Sequence, residues 1–388
     1  MVLTEKQLEG LKIAVARYKQ KEPWTCIAGF AGTGKSTLVS FVIEALGLDP
    51  EEDVAYATYT GKAALVLKEK GCPNAQTTHR LLYQSFPRAD GTFYHKVKRP
   101  LDNDYKLIVV DEISMLPKEM WELLLSHRIH VIALGDPFQL PPIGDDNGVL
   151  GRPHIFLDQI MRQEEDNEII RLSMDIREGK PLYPFKGKNV QIVSPREVVD
   201  GMFTWADQVI VGKNITRRNF NERMRGLVLP GAESSPAPND KVICLKNEWN
   251  NLNALGDPLV NGLIGHIEWI RTEENVPFIT KRLRMHFMPD DYPEVEAMYH
   301  NLAVDYNIFA TGEPTINKNN FRRIPSIFHP LQFDYGYAIT CWKAQGSEYN
   351  KVLLFEENHP FDKVEHQKYL YTGITRARDK IVIVKDWR

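Results

Sequence analysis

The sequence lacks several features that would place it in a specialised class of protein. Only four cysteines occur among the 388 residues, and they form no Cys-x-x-Cys pair or cysteine–histidine cluster. This spacing disfavours a disulfide framework and a zinc site, and it predicts reduced thiols in a reducing cytosol. No uncharged run approaches the roughly 20 residues that span a bilayer, and the charged N-terminus is not a secretory signal. We therefore expect a cytoplasmic protein without a membrane partner.

An excess of positive charge is also missing. The 48 Lys and Arg residues oppose 51 Asp and Glu residues, which gives a net charge of 48 − 51 = −3. This balance argues against a polycation that coats nucleic acid non-specifically, although a narrow basic channel stays compatible with it. The chain has no visible internal repeat, is too long for one compact core, and fits two or three domains.

The first third of the chain alternates strand-like and helix-like segments, which is typical of βαβ units around a parallel sheet. Apolar runs predict buried strands at Thr25–Ala28, Val54–Ala57, Leu107–Val110 and Val131–Leu134. A helix is expected at Lys118–His127, with Pro117 near its start. The strand pattern returns at Tyr337–Thr340, Lys351–Phe355 and Lys380–Val384.

Two segments break this alternation. Around Phe86–Arg99, an Asp90-Gly91 turn and aromatic residues beside basic ones predict a protruding β-hairpin. The segment Gly231–Asp240 (GAESSPAPND) reads as a linker, and the roughly 90 residues after it are β-rich and irregular. We interpret both segments as insertions into an α/β framework.

A glycine-rich segment, GFAGTGKST at Gly29–Thr37, fits the pattern G-x-x-x-x-G-K-[ST]. It follows a predicted strand and precedes a helix-like run, which is the context that a phosphate-binding P-loop requires. Amide N–H groups at the helix start then face the anion. Lys35 is expected to reach the β- and γ-phosphates, and the Ser36 hydroxyl is expected to ligate Mg²⁺. The nucleotide-binding residues of this loop are Gly29, Gly32, Thr33, Gly34, Lys35, Ser36 and Thr37.

Two adjacent carboxylates, Asp111 and Glu112, end the apolar run Leu107–Val110. Asp111 is expected to hold Mg²⁺ through its water shell, and Glu112 to orient and deprotonate the attacking water. A glutamate beside the aspartate favours hydrolysis over phosphoryl transfer to a metabolite. ATP is favoured over GTP because no NKxD-type guanine-selecting motif appears: Asn317–Asn320 lacks the acid.

Further segments complete an ordered series with the P-loop and the carboxylate pair. They are Thr4–Gln7 (motif Q), Ala57–Ala64 (Ia), Thr77–Leu82 (Ib), Gly135–Pro142 (III), Leu157–Gln163 (IV), Tyr337–Glu348 (V) and Tyr371–Arg378 (VI). This series resembles the superfamily 1B DNA helicases, the group that contains the phage Dda and bacterial RecD helicases. The resemblance covers nearly the whole chain. It implies an α/β fold with two RecA-like parallel-sheet motor domains that bind ATP and Mg²⁺.

The resemblance also implies catalytic roles beyond the P-loop. Gln139 senses the γ-phosphate or the attacking water, while Asp136 holds the geometry of its loop. Arg162 and Arg376 act as arginine fingers, because a planar guanidinium stabilises charge on the transferring phosphoryl oxygens. Arg378 is expected to be structural.

Three more residues are implied to face the nucleotide. Gln7 reads the adenine base, Gln345 faces the nucleotide, and Glu348 lies near the ribose. For Gln7 a second interpretation stays open, because Thr4-x-x-Gln7 is also a capping box at the start of a helix. Both roles are compatible with each other.

On the DNA side, the resemblance implies phosphate contacts that position a strand without reading its sequence. The residues with this role are Thr60, Lys62, His79, Thr340 and Lys343. Tyr59 stands where the family usually has proline, and Trp342 where it usually has histidine. For both aromatic residues, base stacking and simple burial stay open. Tyr59 also weakens the inference of polarity, since helicases of opposite polarity carry an aromatic residue there.

The resemblance further implies a division into four parts. It places a first motor domain (1A) at 1–84 and 107–150, a hairpin insertion (1B) at 85–106, a second motor domain (2A) at 151–231 and 331–388, and an SH3-like insertion (2B) at 232–330. The hairpin would act as a strand-separating pin, with Phe93 or Tyr94 against the terminal base pair.

We therefore expect an ATP-dependent DNA helicase that moves 5′ to 3′ on single-stranded DNA and unwinds duplexes. The expected partners are single-stranded and forked duplex DNA, and replication or recombination proteins, with the motor acting as a monomer in a phage-infected or bacterial cytoplasm. Two alternatives stay open: a DNA-stimulated ATPase that translocates without strand separation, and a nucleic-acid clamp that uses ATP as a switch.

Overall fold

The computed structural model describes residues 3–72, 74–87, 93–141, 147–159, 167–232, 235–255, 258–290, 295–316, 324–325, 328–357 and 362–386. The chain divides into two compact units, of which the first comprises Met1–Gln84, Lys96–Glu197 and Gln345–Arg388. The second comprises Ser85–His95 and Val198–Ala344. The finer division into four parts stays a prediction.

The helices are numbered in chain order. They are α1 (Glu5–Lys19), α2 (Lys35–Leu46), α3 (Gly61–Glu69), α4 (Thr78–Leu82), α5 (Lys118–Leu125), α6 (Glu168–Arg177), α7 (Asp200–Trp205), α8 (Asn214–Val228), α9 (Tyr306–Thr311), α10 (Cys341–Ala344) and α11 (Lys363–Ile374). Among the residues that the structure describes, none of these helices is long and apolar enough to cross a bilayer.

The strands are numbered in the same way. They are β1 (Trp24–Gly29), β2 (Val54–Thr58), β3 (Gln76–Thr77), β4 (Tyr83–Pro87), β5 (Phe93–Val97), β6 (Leu107–Asp111), β7 (His130–Gly135), β8 (Ile155–Leu157), β9 (Phe185–Lys186), β10 (Val190–Val193), β11 (Gln208–Val211), β12 (Lys241–Cys244), β13 (Glu248–Leu252), β14 (Pro258–Leu259), β15 (Ile264–Val276), β16 (Ile279–Pro289), β17 (Tyr299–Asp305), β18 (Phe333–Tyr335), β19 (Ala338–Thr340), β20 (Tyr349–Phe355) and β21 (Ala377–Val384). The strands and the helix expected from the sequence are confirmed.

The central sheet of the first unit has the strand order β3-β2-β6-β7-β1-β8. All its strand pairs are parallel. Both faces of this sheet are buried, because alternate residues of β6 enter different hydrophobic clusters. Ile108 and Val110 pack with Trp121 and Leu124 of α5. Leu107 and Val109 pack with the apolar face of α2. Burial on both faces explains why these strands read as continuous apolar runs rather than as alternating patterns.

A second group of parallel strands lies in the same unit. Strand β21 pairs in parallel with β20 and with β10, and the short β9 pairs antiparallel with β10 at the edge. In the second unit, β11 and β19 also pair in parallel. These parallel strands and their helices give the α/β architecture that the sequence predicts.

The rest of the second unit is antiparallel. Its five-stranded sheet has the order β17-β16-β15-β12-β18, with β13 and β14 forming a separate pair. This region begins where the linker Gly231–Asp240 ends and confirms the β-rich content expected there. Strands β4 and β5 form the expected hairpin, whose tip at 88–92 lies outside the described residues. The SH3-like character of the larger insertion stays a prediction.

Candidate nucleotide and DNA site

The chemistry-bearing segments of the first unit follow neighbouring strands of the central sheet. The P-loop follows β1, Tyr59 follows β2, Asp111 ends β6 and Asp136 follows β7. Because these strands are parallel, their carboxyl ends lie at one edge of the sheet. In open α/β sheets ligands bind outside this edge.

The P-loop has a backbone that only glycine satisfies at its critical positions. Gly32 and Gly34 have φ angles of 74° and 75°, in the left-handed region that favours glycine. A Cβ atom on Gly29 would lie 2.7 Å from Thr33 Oγ1 and 2.8 Å from the Leu157 carbonyl oxygen. The glycines of the pattern therefore allow the loop to fold tightly. Ser36 and Thr37 lie in the first turn of α2, which follows the loop.

Lys35 holds the shape of this loop. Its Nζ donates to the carbonyl oxygens of Gly29 and Phe30, at 2.8 Å and 3.0 Å. Burial raises the pKa of both Asp111 and Asp136, and the positive charge of Lys35 opposes part of that effect. No carboxylate among the described residues forms an ion pair with it, so the lysine charge fits a bound anion.

The carboxylate pair at the end of β6 is held in an unusual backbone. Glu112 has a φ of 53°, which is uncommon for a residue with a side chain, and its N–H donates to Asp111 Oδ1 at 2.8 Å. Burial raises the pKa of Asp111, and the neighbouring Glu112 carboxylate raises it further. Asp111 forms no ion pair among the described residues, and hard oxygen ligands of this kind suit Mg²⁺. The residues present therefore fit a nucleotide with its cation.

Gln139 lies in the motif III loop with one polar atom unsatisfied. Its side chain is buried, and Oε1 has no hydrogen-bond partner among the described residues. A buried unsatisfied acceptor in a native protein calls for an explanation, such as a ligand or water that supplies the missing donor. This geometry suits the sensor role implied for Gln139.

The capping interpretation of Gln7 is confirmed. Gln7 N–H donates to Thr4 Oγ1 at 3.2 Å, and Thr4 N–H donates to Gln7 Oε1 at 3.0 Å, which forms a capping box. The side chain is buried, and its Nε2 donates to the Thr33 carbonyl oxygen at 3.2 Å. Gln7 therefore fastens α1 to the P-loop, and its contact with adenine stays a prediction.

The two expected arginine fingers differ in what the structure describes. Arg162 lies outside the described residues. Arg376 is buried, and its guanidinium donates to the carbonyl oxygens of Thr372 and Ser347, both at 3.1 Å, and to Thr375 Oγ1 at 3.2 Å. All three acceptors belong to the first unit, so Arg376 is held by its own surroundings in this structure.

Gln345 and Glu348 have protein partners in the same unit. Gln345 Nε2 donates to the Leu140 carbonyl oxygen at 2.9 Å. Glu348 accepts from Lys70 Nζ at 3.3 Å and from Arg378 Nε at 2.8 Å. Burial raises the pKa of Glu348, but the Lys70 and Arg378 cations outweigh burial and hold it below its usual value. The structural role expected for Arg378 is thus to pair with Glu348.

Two residues near the P-loop were missed by sequence reasoning. The Arg177 guanidinium lies 3.5 Å from the centre of the Phe30 ring. The Tyr371 hydroxyl contacts both Ala31 and Asp136. Tyr371 belongs to motif VI, in which the resemblance assigns roles only to the arginines. Arg177 belongs to none of the motifs. Nothing in the local sequence indicates either contact, because each joins residues more than a hundred positions apart.

The expected DNA contacts of the first unit cluster around α3 and α4. Tyr59 is 38% exposed, Thr60 caps α3 by accepting from Ala63 N–H, and His79 stacks on Tyr83 with ring centres 4.6 Å apart. Exposure makes stacking by Tyr59 physically available. Lys62 is buried and its Nζ lies 5.0 Å from the centre of the Tyr349 ring.

Motif V approaches motif Ia closely within the first unit. Gly346 has a φ of 72°, and a Cβ atom there would lie 3.1 Å from Ala63 Cβ and 3.2 Å from Thr60 Oγ1. A side chain at this position would push the two segments apart. The glycine of motif V therefore permits the segment after α10 to pack on the start of α3.

The remaining expected DNA contacts lie in the second unit. Thr340 ends β19, and Trp342 and Lys343 lie in α10. Lys343 Nζ donates to Asn261 Oδ1 at 2.7 Å, and burial lowers the pKa of this lysine. Phe93 and Tyr94 begin β5, directly after the tip at 88–92 that lies outside the described residues.

Comparison with known families gives two matches on this chain. An AAA domain matches residues 3–199, just over half of the sequence. A UvrD-like helicase C-terminal domain matches residues 335–384. The first match contains the P-loop and motifs Q to IV, and the second contains all of motifs V and VI.

Two of the similar proteins are named as DNA helicases. The chain is 29% identical to the ATP-dependent RecD2 DNA helicase of Deinococcus radiodurans, over 91% of this chain and 46% of that protein. It is 28% identical to the ATP-dependent DNA helicase Dda of phage T4, over 46% of this chain and 43% of that protein. The chain thus spans about half the length of these relatives or less.

Among solved structures, a Pif1 helicase from Bacteroides in complex with ADP-AlF3 and ssDNA has a similar fold. The TM-score is 0.56 at 16% identity, and the match covers 99% of this chain and 92% of the other. At this identity the likeness concerns the fold alone, and it is consistent with a parallel-sheet α/β core of RecA-like domains. The family matches show that the chain belongs to the AAA-domain family and carries a UvrD-like helicase C-terminal domain, and the RecD2 and Dda relatives confirm its resemblance to the superfamily 1B helicases.

Proposed function

We propose that this chain is an ATP-hydrolysing motor that translocates on single-stranded DNA and separates the strands of a duplex. The observation that supports it most strongly is the grouping at one sheet edge. A glycine-rich loop whose Lys35 donates to two of its own carbonyl oxygens, the half-buried carboxylates Asp111 and Glu112, and the Gln139 loop all follow strands of the same parallel sheet. Such a grouping matches the parts that phosphoryl-transfer enzymes require.

In this proposal the residues of the first unit divide the work of hydrolysis. P-loop amides and Lys35 bind the phosphates, and Glu112 orients the attacking water and takes its proton. Ser36 and Asp111 would hold Mg²⁺, which supplies neutralisation of phosphate charge. Gln139 would accept from the attacking water through Oε1, or donate to the γ-phosphate through Nε2.

Arg162 and Arg376 are proposed as the arginine fingers. In this assignment Arg376 exchanges at least one of its three acceptors, Thr372, Ser347 or Thr375, for a phosphoryl oxygen. An arginine that is already held by backbone carbonyls needs little reordering of its side chain, which favours catalysis by positioning. Gln7 and Glu348 are proposed to face the adenine and the ribose.

The DNA-binding part of the proposal uses residues of both units. Tyr59, Thr60, Lys62 and His79 of the first unit, and Thr340, Trp342 and Lys343 of the second, are proposed to grip one strand. The hairpin that carries Phe93 and Tyr94 is proposed as the strand-separating pin. Movement is proposed to be 5′ to 3′, driven by ATP-dependent exchange of grip, in a cytoplasmic monomer that serves replication or recombination.

The decisive experiment measures ATP hydrolysis with and without oligonucleotides, followed by unwinding of forks with a 5′ or a 3′ tail. We expect hydrolysis to rise with single-stranded DNA and displacement to require the 5′ tail. DNA-stimulated hydrolysis without displacement would support a translocase that does not unwind. Displacement that needs a 3′ tail would contradict the proposed polarity.

The Glu112→Gln variant separates a motor from an ATP-switched clamp. We expect this variant to bind nucleotide and DNA but to lose DNA-stimulated turnover and unwinding, because the amide cannot accept the water proton. If unwinding or function on DNA persists without turnover, the clamp is the better description.

A further inference from the structure

Tyr371 occupies a buried position where the P-loop and the motif III loop meet. It lies in α11, and its side chain has no exposed surface. Its hydroxyl oxygen accepts from Ala31 N–H in the P-loop at 2.9 Å. The same hydroxyl donates to Asp136 Oδ2, at the start of motif III, at 2.5 Å. One side-chain oxygen therefore joins three motifs that are distant in sequence.

The direction of these hydrogen bonds is fixed by chemistry. A tyrosine hydroxyl has a single proton, and an amide N–H can only donate. The proton of Tyr371 therefore points to the Asp136 carboxylate, and its lone pair faces Ala31. The separation of 2.5 Å lies at the short end of the range for a hydroxyl that donates to a carboxylate. Hydrogen bonds to a charged acceptor are among the stronger hydrogen bonds in proteins.

The Asp136 carboxylate depends on hydrogen bonds for its support within the described part of the chain. Its side chain is buried, its other oxygen accepts from Phe138 N–H at 2.9 Å, and it forms no ion pair among the described residues. Burial raises the pKa of Asp136, while the charge of Lys35 and the hydrogen bonds from Tyr371 and Phe138 oppose that effect. Removing the Tyr371 hydroxyl would leave a buried carboxylate oxygen without its donor.

The rest of the motif III loop is anchored to the same helix. Leu140 N–H donates to Thr372 Oγ1 at 2.9 Å, and the Phe138 ring meets the Tyr371 ring edge to face, with centres 5.4 Å apart. Gln139, whose Oε1 lacks a partner among the described residues, lies between these two anchors. Displacement of this part of α11 would therefore move both ends of the segment that carries Gln139.

We propose that Tyr371 is a positioning residue that couples the P-loop to Gln139 through the chain Ala31 N–H, Tyr371 O–H and Asp136 carboxylate. Tyr371 acts through the loops and is assigned no contact with the nucleotide. When phosphate binding shifts the P-loop, the hydroxyl transfers that shift to the motif III loop. This inference deepens the proposed function and rests on it for its catalytic consequence.

The test compares Tyr371→Phe with a matched control on the same helix. Tyr369→Phe also removes the hydroxyl of a fully buried tyrosine, but that hydroxyl donates to the Phe355 carbonyl oxygen at the end of β20. A general effect of losing a buried hydroxyl would appear in both variants. A coupling effect would appear only in Tyr371→Phe.

The first readout is hydrogen–deuterium exchange with mass spectrometry, with and without the non-hydrolysable analogue AMPPNP and Mg²⁺. In the native chain and in Tyr369→Phe, we expect the analogue to protect peptides that cover 29–36 and 134–141. In Tyr371→Phe, we expect protection of 29–36 alone. Protection of 134–141 in Tyr371→Phe equal to that of the native chain would overturn the inference.

The second readout is steady-state ATP hydrolysis on single-stranded DNA. We expect Tyr371→Phe to lower kcat about tenfold with KM for ATP changed less than about twofold, since the variant misplaces Gln139 without altering the phosphate cradle. Tyr369→Phe is expected to keep both constants. Equal kinetics in the two variants would contradict the role proposed for Tyr371.

A second variant guards against loss of folding in Tyr371→Phe. Asp136→Asn keeps the shape of the acceptor while removing its charge, and it is expected to give the same loss of protection at 134–141. If AMPPNP protects residues 134–141 of Asp136→Asn as it does in the native protein, the coupling does not run through the Ala31–Tyr371–Asp136 hydrogen bonds and the inference fails. A native chain that transmits protection but hydrolyses no ATP on DNA would instead sink the proposed function and leave the coupling standing.

Discussion

The nucleotide edge of the first unit and the start of motif V in the second unit each contain a desolvated charge without an ion-pair partner. At the first, Asp111 is held by the N–H of its neighbour Glu112. At the second, Lys343 is held by the side chain of Asn261, 82 positions away. Neither charge forms an ion pair among the described residues, and a desolvated charge is unfavourable unless a partner or ligand compensates it.

The two regions differ in how far apart in sequence a charged residue and its hydrogen-bond partner lie. In the P-loop and the carboxylate pair the supporting groups come from within the same motif, as Lys35 shows by donating to Gly29 and Phe30. At motif V the supporting group comes from the β-rich insertion. A local motif is therefore sufficient to shape the P-loop and the carboxylate pair, whereas the support of Lys343 requires two distant segments to fold together.

The largest effect is expected from Lys35→Ala at the nucleotide edge. Removing the ammonium leaves the P-loop without its central cation and without two internal hydrogen bonds. We expect DNA-stimulated kcat to fall by on the order of 10²–10³, comparable to the loss of one preorganised charge-stabilising donor elsewhere. The measurement is ATP hydrolysis at saturating oligonucleotide. Retention of more than about a tenth of native kcat would contradict the site assignment.

Asp111→Asn tests the buried negative charge through stability. Burial raises the pKa of Asp111 to about 6, above the value of about 3.9 for an unfolded chain. The folded state therefore binds the proton more tightly, and ionisation of Asp111 destabilises it fully above the folded pKa and not at all below the unfolded one. We expect Asp111→Asn to raise the free energy of unfolding of the nucleotide-free protein by about 2 kcal/mol at pH 8, and by little at pH 4.

The control for this prediction is Asp53→Asn. The hydrogen bond from Lys106 holds the pKa of Asp53 below its usual value, so this substitution is expected to act in the opposite direction. Urea unfolding of both variants at several pH values provides the measurement. A stabilisation of Asp111→Asn that does not change with pH would show that charge burial is not its cause.

Lys343→Ala tests the positive charge of motif V. If the lysine contacts one phosphate, the variant should bind single-stranded DNA about tenfold more weakly, and its salt slope should fall by about 0.7. Fluorescence anisotropy with a labelled oligonucleotide at several salt concentrations measures both quantities. An unchanged salt slope would show that Lys343 does not contact a DNA phosphate.

Asn261→Ala probes the distant support of that lysine and should have the smallest effect. Loss of one hydrogen bond to a charged group is expected to weaken DNA binding about threefold, while the salt slope keeps its native value because the charge is still present. Asn247→Ala is a suitable control, because Asn247 Oδ1 accepts from Asn261 N–H and leaves the lysine contact intact. Equal losses in the two variants would show that loop folding, and not support of Lys343, matters.

Sequence reasoning succeeded where partners lie within a few residues. The strand before the P-loop, the capping box of Thr4 and Gln7, and the hairpin of β4 and β5 follow from patterns that are local by nature. It was less informative where a side chain had two compatible roles. Gln7 caps α1 and donates to the Thr33 carbonyl oxygen, while its contact with adenine stays a prediction.

The sequence by itself determined the α/β framework, the phosphate cradle and the carboxylate pair, because turn geometry, apolar runs and motif spacing act over short stretches of chain. Only the tertiary structure decided that Tyr371 joins the P-loop to motif III, that Lys343 rests on Asn261, and that Arg376 is enclosed by backbone carbonyls. Contacts between residues far apart in sequence depend on how strands are ordered and packed, and that ordering is set by the burial of many side chains together rather than by any single motif.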